Sequence, residues 1–142
     1  MDVLILPFAE LSPTMAYDVW RLRQEVFVVE QDCAYLDLDG RDHEPGTLHV
    51  VLADGGAVAG TLRILDDGDV WRIGRVVLAK TARGRGLSDT MMRAALDAVP
   101  GRDVVLAAQA PLARWYATFG FTVEGDEFDE DGIPHLPMRL RR

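Results

Sequence analysis

An α+β fold, with helices packed on one mixed sheet, is what this sequence predicts. Residues 48–79 read as three consecutive apolar runs joined by the turns Asp54-Gly55-Gly56 and Asp66-Asp67-Gly68-Asp69, a strong hairpin signal. The apolar strand Arg75–Ala79 then passes through a basic glycine turn, Arg83-Gly84-Arg85-Gly86-Leu87-Ser88, into a helix with Leu87, Met91, Ala95 and Val99 on one face. Finally, the segments follow the order β-α-β-β-β-α-β-α-β-β with no long polar linker between them, which suits a single layered unit.

Each element has its own local cause. Residues 3–8 form a first edge strand with weak alternation. Ser12-Pro13 opens a helix, with serine as N-cap and proline at the first helical position. That helix carries Tyr17, Trp20 and Phe27 and runs from Pro13 to about Val29, where Val26-Phe27-Val28-Val29 is rich in β-branched residues that strain a helix. Residues 32–46, rich in Asp and Gly and closed by Pro45-Gly46, read as loop. Strands are expected at Leu48–Ala53, Ala57–Leu65 and Val70–Ala79. The helix after the glycine turn stops at Pro100-Gly101, and Val104–Ala107 is a short buried strand. Pro111–Phe119 reads as a helix with Leu112, Trp115, Tyr116 and Phe119 on one face and Gly120 at its C-cap. Phe121–Val123 and Ile133–Leu140 end the chain as strands around an acidic turn.

At 142 residues the chain reads as one domain, residues 1–142, long enough to bury a core. Its 23 acidic and 15 basic residues give a net charge of −8, which argues against nucleic acid as a partner and favours cationic substrates. The N-terminal MDVLILPFAEL starts with an acid and breaks its apolar run at Pro7, so no signal peptide is expected. No apolar stretch reaches the length of a membrane span. Cys33, the lone cysteine, rules out an intramolecular disulfide and a clustered-cysteine zinc site. A cytoplasmic protein without a metal is therefore expected.

The glycine turn carries the chemistry. Glycines permit close approach and positive φ, and a helix N-terminus offers unpaired N–H groups, so the turn suits a phosphorylated ligand. Two phosphate motifs fail here. A P-loop needs Lys-Ser/Thr after its last glycine, but Leu87-Ser88 follows Gly86. A dinucleotide fingerprint needs a third glycine where Asp89 stands.

What the turn resembles is motif A of the GNAT superfamily of N-acetyltransferases, Arg/Gln-x-x-Gly-x-Gly/Ala, with Ser88 in place of the usual Gly or Ala. The family's motif B is matched by Gln109, seven residues before Tyr116, with Gly120-Phe121 closing the helix. Leu22–Gln31, with its Val-Phe-Val-x-Glu-Gln run, and Glu130–His135 are similar to the ElaA-like branch of that superfamily. The resemblance implies a GNAT-like fold with a mostly antiparallel, twisted central sheet. It also implies acetyl-CoA as donor and a small-molecule or peptidyl amine as acceptor. In that reading Val76, Val77 and Leu78 pair with the pantetheine arm. Arg83, Gly84, Arg85, Gly86, Leu87, Ser88 and Asp89 hold the pyrophosphate, and Gln109 and Tyr116 complete the cofactor site.

Such a transfer needs a base to neutralise the attacking amine and an acid to protonate the leaving thiolate. By family position Tyr116 is the acid, because a phenol with an ordinary pKa of about 10 stays protonated. Base candidates are His135, beside Glu130 and Asp131, then Glu30 at the end of the first helix, and third His49. The acidic run Asp126–Asp131, together with Asp37, Asp39 and Asp42, would form a rim attracting a cationic amine. A non-catalytic acyl-CoA sensor on the same fold is the alternative, and a homodimer is left open.

Overall fold

Apolar alternation along the central strands sorts their side chains onto two faces, and helices cover each. The computed structural model describes all 142 residues, Met1–Arg142. Its strands are β1 (Asp2–Pro7), β2 (Leu48–Asp54), β3 (Ala57–Asp66), β4 (Val70–Leu78), β5 (Asp103–Gln109), β6 (Thr122–Val123), β7 (Phe128–Glu130) and β8 (Ile133–Leu140). They form one sheet in the order β1-β2-β3-β4-β5-β8-β6, and β7 also pairs with β8. Only β4 and β5 run parallel; every other pair is antiparallel. The fold is therefore the α+β layer arrangement expected, with one strand more.

On one face, Val50, Leu62, Ile64, Ile73 and Leu106 pack against Met91, Met92 and Ala95 of α2 (Leu87–Ala98) and against Tyr116 of α3 (Ala113–Ala117). On the other, α1 (Pro13–Arg23) sets Val19 against Val51 and Leu22 against Val77. No helix is long and apolar enough to cross a membrane.

Three boundaries differ from expectation. The first helix is α-helical only to Arg23, and Gln24–Glu30 winds as a π-helix. This segment holds the β-branched run, whose crowding against the preceding turn is relieved by the wider winding. The helix expected over 111–119 contracts to a 3₁₀ turn at Ala110–Leu112 followed by the five residues of α3. Pro111 lacks an N–H and serves the turn's first positions instead. Inside the acidic turn, Phe128–Glu130 forms β7, closed onto β8 through Asp131-Gly132 with positive φ at both.

Two features of β4 position everything that follows. It pairs with β5 only through Val70–Arg72 against Asp103–Val105, and beyond that the strands part. Against β3, Arg63 faces Gly74 while Thr61 faces Val77, so two residues of β4, Arg75 and Val76, oppose the single Leu62 of β3. This bulge places Arg75 at φ +54, in the left-handed region.

Candidate active site

Where β4 and β5 part, the sheet opens into a cavity of about 640 Å³. Ile73, Gly74, Arg75 and Val76 line one side, and Leu106, Ala107 and Gln109 the other. Tyr116 from α3 and His135 from β8 both reach it. Residues 31–41 form its outer wall, with Gln31, Cys33, Tyr35, Leu36 and Asp39 facing in.

At the far end of β4 lies the glycine turn. Gly84 and Gly86 stand at φ +75 and +72, conformations that favour glycine. A Cβ at either would meet nothing within 4 Å, so the surface there is open. Gly86 is the N-cap of α2 and no side chain caps it, which leaves the first-turn N–H groups of Leu87, Ser88 and Asp89 exposed as an anion site. The Asp89 carboxylate is otherwise engaged: it accepts a 2.7 Å bond from Trp115 Nε1 and ties α2 to α3. Only its backbone is available to an anion.

Arg83 is held in a bidentate pair with Glu30, at 2.9 and 3.1 Å, and also donates to the carbonyl of Leu78 at 3.2 Å. Lys80 lies 4.0 Å from the same carboxylate. These cations hold the Glu30 carboxyl below its ordinary range, which makes it a poorer base. Glu30 also lines a separate groove, with Val26, Val29 and Lys80, away from Tyr116. Glu30, one of the expected base candidates, is thus the ion-pair partner of Arg83.

Tyr116 is 6% exposed, and its hydroxyl makes no hydrogen bond within the protein. Burial pushes its pKa up to about 12, so the phenol is protonated throughout the physiological range. His135 stands opposite Gln109 in the β5–β8 ladder and stacks on Phe128. Its Nδ1 donates to the Ile133 carbonyl at 2.7 Å, which in the neutral ring leaves Nε2 with its lone pair. That nitrogen lies 3.4 Å from Glu130 Oε2. Gln109 donates to Gln31 at 3.3 Å, linking the tip of β5 to the end of the π-helix.

His49, the third base candidate, is fully buried away from the cavity, edge-on to Trp20. Its Nε2–H donates to the Asp42 carbonyl at 2.8 Å, and burial lowers its pKa. The expected acidic rim is corrected. Asp37 and Asp42 are buried and paired with Arg23 at 2.9 and 2.7 Å. Asp39 is paired with Arg63 at 2.6 Å and Arg75 at 3.4 Å, and these guanidiniums hold its carboxyl well below the usual range. Of the expected rim, Glu130 and Asp131 line the cavity without an arginine partner. Tyr35 completes the network by donating to Asp37 at 2.6 Å while Arg75 sits over its ring.

Tyr35, Gly74 and Arg75 are cavity residues that the motifs do not single out, whereas Gln31 closes the Val-Phe-Val-x-Glu-Gln run. A signal existed for Gly74, since glycine inside an apolar strand marks a bulge or a close approach. For the arginine–aspartate network none did, because its members are scattered between residues 23 and 75.

Comparison with known proteins agrees with this architecture. A family model described as an acetyltransferase (GNAT) domain matches residues 18–142. Protein ElaA of Escherichia coli K12 is 36% identical over 140 residues, covering 94% of this chain and 92% of that one. A UPF0039 protein of Mycobacterium tuberculosis is 45% identical over 134 residues, 91% of this chain and 86% of that one. Among solved structures, an acyl-CoA N-acyltransferase from Pseudomonas aeruginosa superposes with a TM-score of 0.93 at 36% identity, covering 99% of each chain. The crystal structure of E. coli ElaA gives 0.95 at 33% identity, covering 99% of this chain and 100% of that one.

Proposed function

The chain belongs to the acetyltransferase (GNAT) family, in its ElaA-like branch, and on that premise we propose that it transfers an acetyl group from acetyl-CoA to a primary amine of a small molecule or peptide. One observation carries the reading: the opening between β4 and β5 ends at an uncapped helix N-terminus and contains a buried, unpartnered phenol. The residues fit coenzyme A, since the turn at Gly84 and Gly86 leaves open space beside unpaired N–H groups. Val76, Val77 and Leu78 offer backbone that β5 leaves unpaired, for the pantetheine arm. Arg83, Arg85 and the N–H groups of Gly84 through Asp89 would hold the pyrophosphate.

When bound, acetyl-CoA supplies the thioester whose C–S bond is exchanged for an amide C–N bond. His135 Nε2 takes the proton of the attacking ammonium, directly or through water, and Glu130 stabilises the resulting imidazolium. The Tyr116 hydroxyl, with no competing acceptor inside the protein, gives its proton to the departing sulfur. Holding both reactants in one cleft supplies much of the acceleration. A cationic amine would meet Glu130 and Asp131 at the cavity wall. Titration calorimetry with acetyl-CoA tests the donor: saturable binding at micromolar concentrations is expected, and no heat at millimolar ligand would sink the reading. Binding without CoA release across a panel of amines would instead mark a non-catalytic acyl-CoA module.

A further inference from the structure

Gly74 has no cause in the protein's own fold. It lies inside β4 opposite Arg63, its φ is outside the left-handed region, and a Cβ there would meet nothing within 4 Å. The bulge needs positive φ only at the neighbouring residue, Arg75. Glycine in a strand weakens it, because its backbone loses more freedom and no side chain packs. Alanine would be accommodated without strain, so the glycine serves something other than packing or conformation.

Its position says what. With the phosphates at the Arg83 end and the pantetheine along Leu78, Val77 and Val76, the thioester falls further back along β4, at about 3.3 Å per residue. Arg75, also on the cavity wall, is committed to its outer side: its guanidinium donates to the Asp37 carbonyl at 3.1 Å and covers the Tyr35 ring. The first bare wall beyond Val76 is therefore Gly74. The cavity is lined in part by apolar side chains, Phe27, Leu65, Leu106 and Leu112, and in part by charged ones, with Arg63 directly opposite Gly74 on β3. Its 640 Å³ is of the size that holds a drug-like ligand, and the thioester end of the donor and the acceptor amine share it.

We infer that Gly74 sets the acyl-chain range of the donor site, its missing side chain leaving a floor along which acyl groups longer than acetyl can lie. This rests on the acyl-CoA reading above. The test is calorimetric titration of the purified full chain and of its Gly74→Ala and Gly74→Val variants with CoA, acetyl-CoA and hexanoyl-CoA. The unmodified protein is expected to bind both thioesters within about threefold of one another. Gly74→Val is expected to keep its CoA affinity and to lose at least about tenfold for hexanoyl-CoA, with Gly74→Ala between. Thermal midpoints should not fall, because the added Cβ enters open space. The inference is overturned if the unmodified protein binds CoA but disfavours hexanoyl-CoA tenfold. It is equally overturned if the variants bind all three ligands alike, or lose CoA in parallel with hexanoyl-CoA. Absence of CoA binding by the unmodified protein would overturn the donor assignment together with it.

Discussion

Tyr116 is a largely buried phenol whose ring packs in the core, while its hydroxyl, on the cavity, has no partner within the protein. Tyr116→Phe keeps the ring and removes only the hydroxyl, so no internal hydrogen bond is lost and the substitution tests the role of that group. Turnover should fall by about 10²-fold or more while CoA affinity stays within about twofold, the signature of a proton donor used in the transition state. Steady-state kinetics beside a binding titration reads both; unchanged turnover removes Tyr116 as the acid. Residue types and spacing made Tyr116, Gln109 and His135 legible in the sequence, because each belongs to a short motif. The pairing of Glu30 with Arg83 was not legible there, because the two lie 53 residues apart and only folding brings them together.

At the scale of elements, the wall formed by residues 31–41 is held by charges rather than by regular structure. Arg23, at 1% exposure, bonds Asp37 through its side chain and carbonyl and bonds both oxygens of Asp42. Arg63 adds a second donor to Asp42 Oδ1 at 3.2 Å, and Tyr35 donates to the remaining Asp37 Oδ1 at 2.6 Å, which Arg75 Nε approaches to 2.8 Å out of line for a hydrogen bond. Removing one partner of such a set strands buried charge, so Arg23→Met should cost about 3–5 kcal/mol. Urea unfolding measures it, and a loss below about 0.5 kcal/mol would show that the wall does not depend on the network. The residues that predict this loop as irregular, Asp and Gly, are the same ones that hide its order. Local composition reports the absence of a helix or strand, whereas partners drawn from α1, β3 and β4 impose a unique conformation. The same limit applies to the π-helix: the β-branched run marked the end of the helix as the weakest boundary, and the wider winding shows only in the fold, where Leu22 and Val26 cluster with Val77.

For the whole molecule, the paired groups make stability depend on acid in one direction. Burial lowers the pKa of His49 below its ordinary 6.5, so the unfolded chain binds more protons there and stability falls as pH drops below about 6.5. Protonation would place an N–H at Nδ1, which has no partner. Asp39, Asp42 and Asp67 are lowered from 3.8 by arginines, and they release stability only as pH falls below about 4, through their folded values. The melting temperature should thus hold steady between about pH 7 and 8 and decline in two stages on acidification. His49→Gln should remove the first stage and leave the second, and a scan by circular dichroism would expose any other order.

The sequence by itself determined the succession of strands and helices, the glycine turn before α2 and the motif spacing of Gln109 and Tyr116, which line one cavity. These are local: they depend on apolar period, turn chemistry and spacings of a few residues. Tertiary structure alone decided where β4 leaves β5, which acids are neutralised, and that Gly74 looks onto empty space. Those outcomes are set by register and by contacts between residues tens of positions apart, where a one-residue bulge redirects every side chain beyond it.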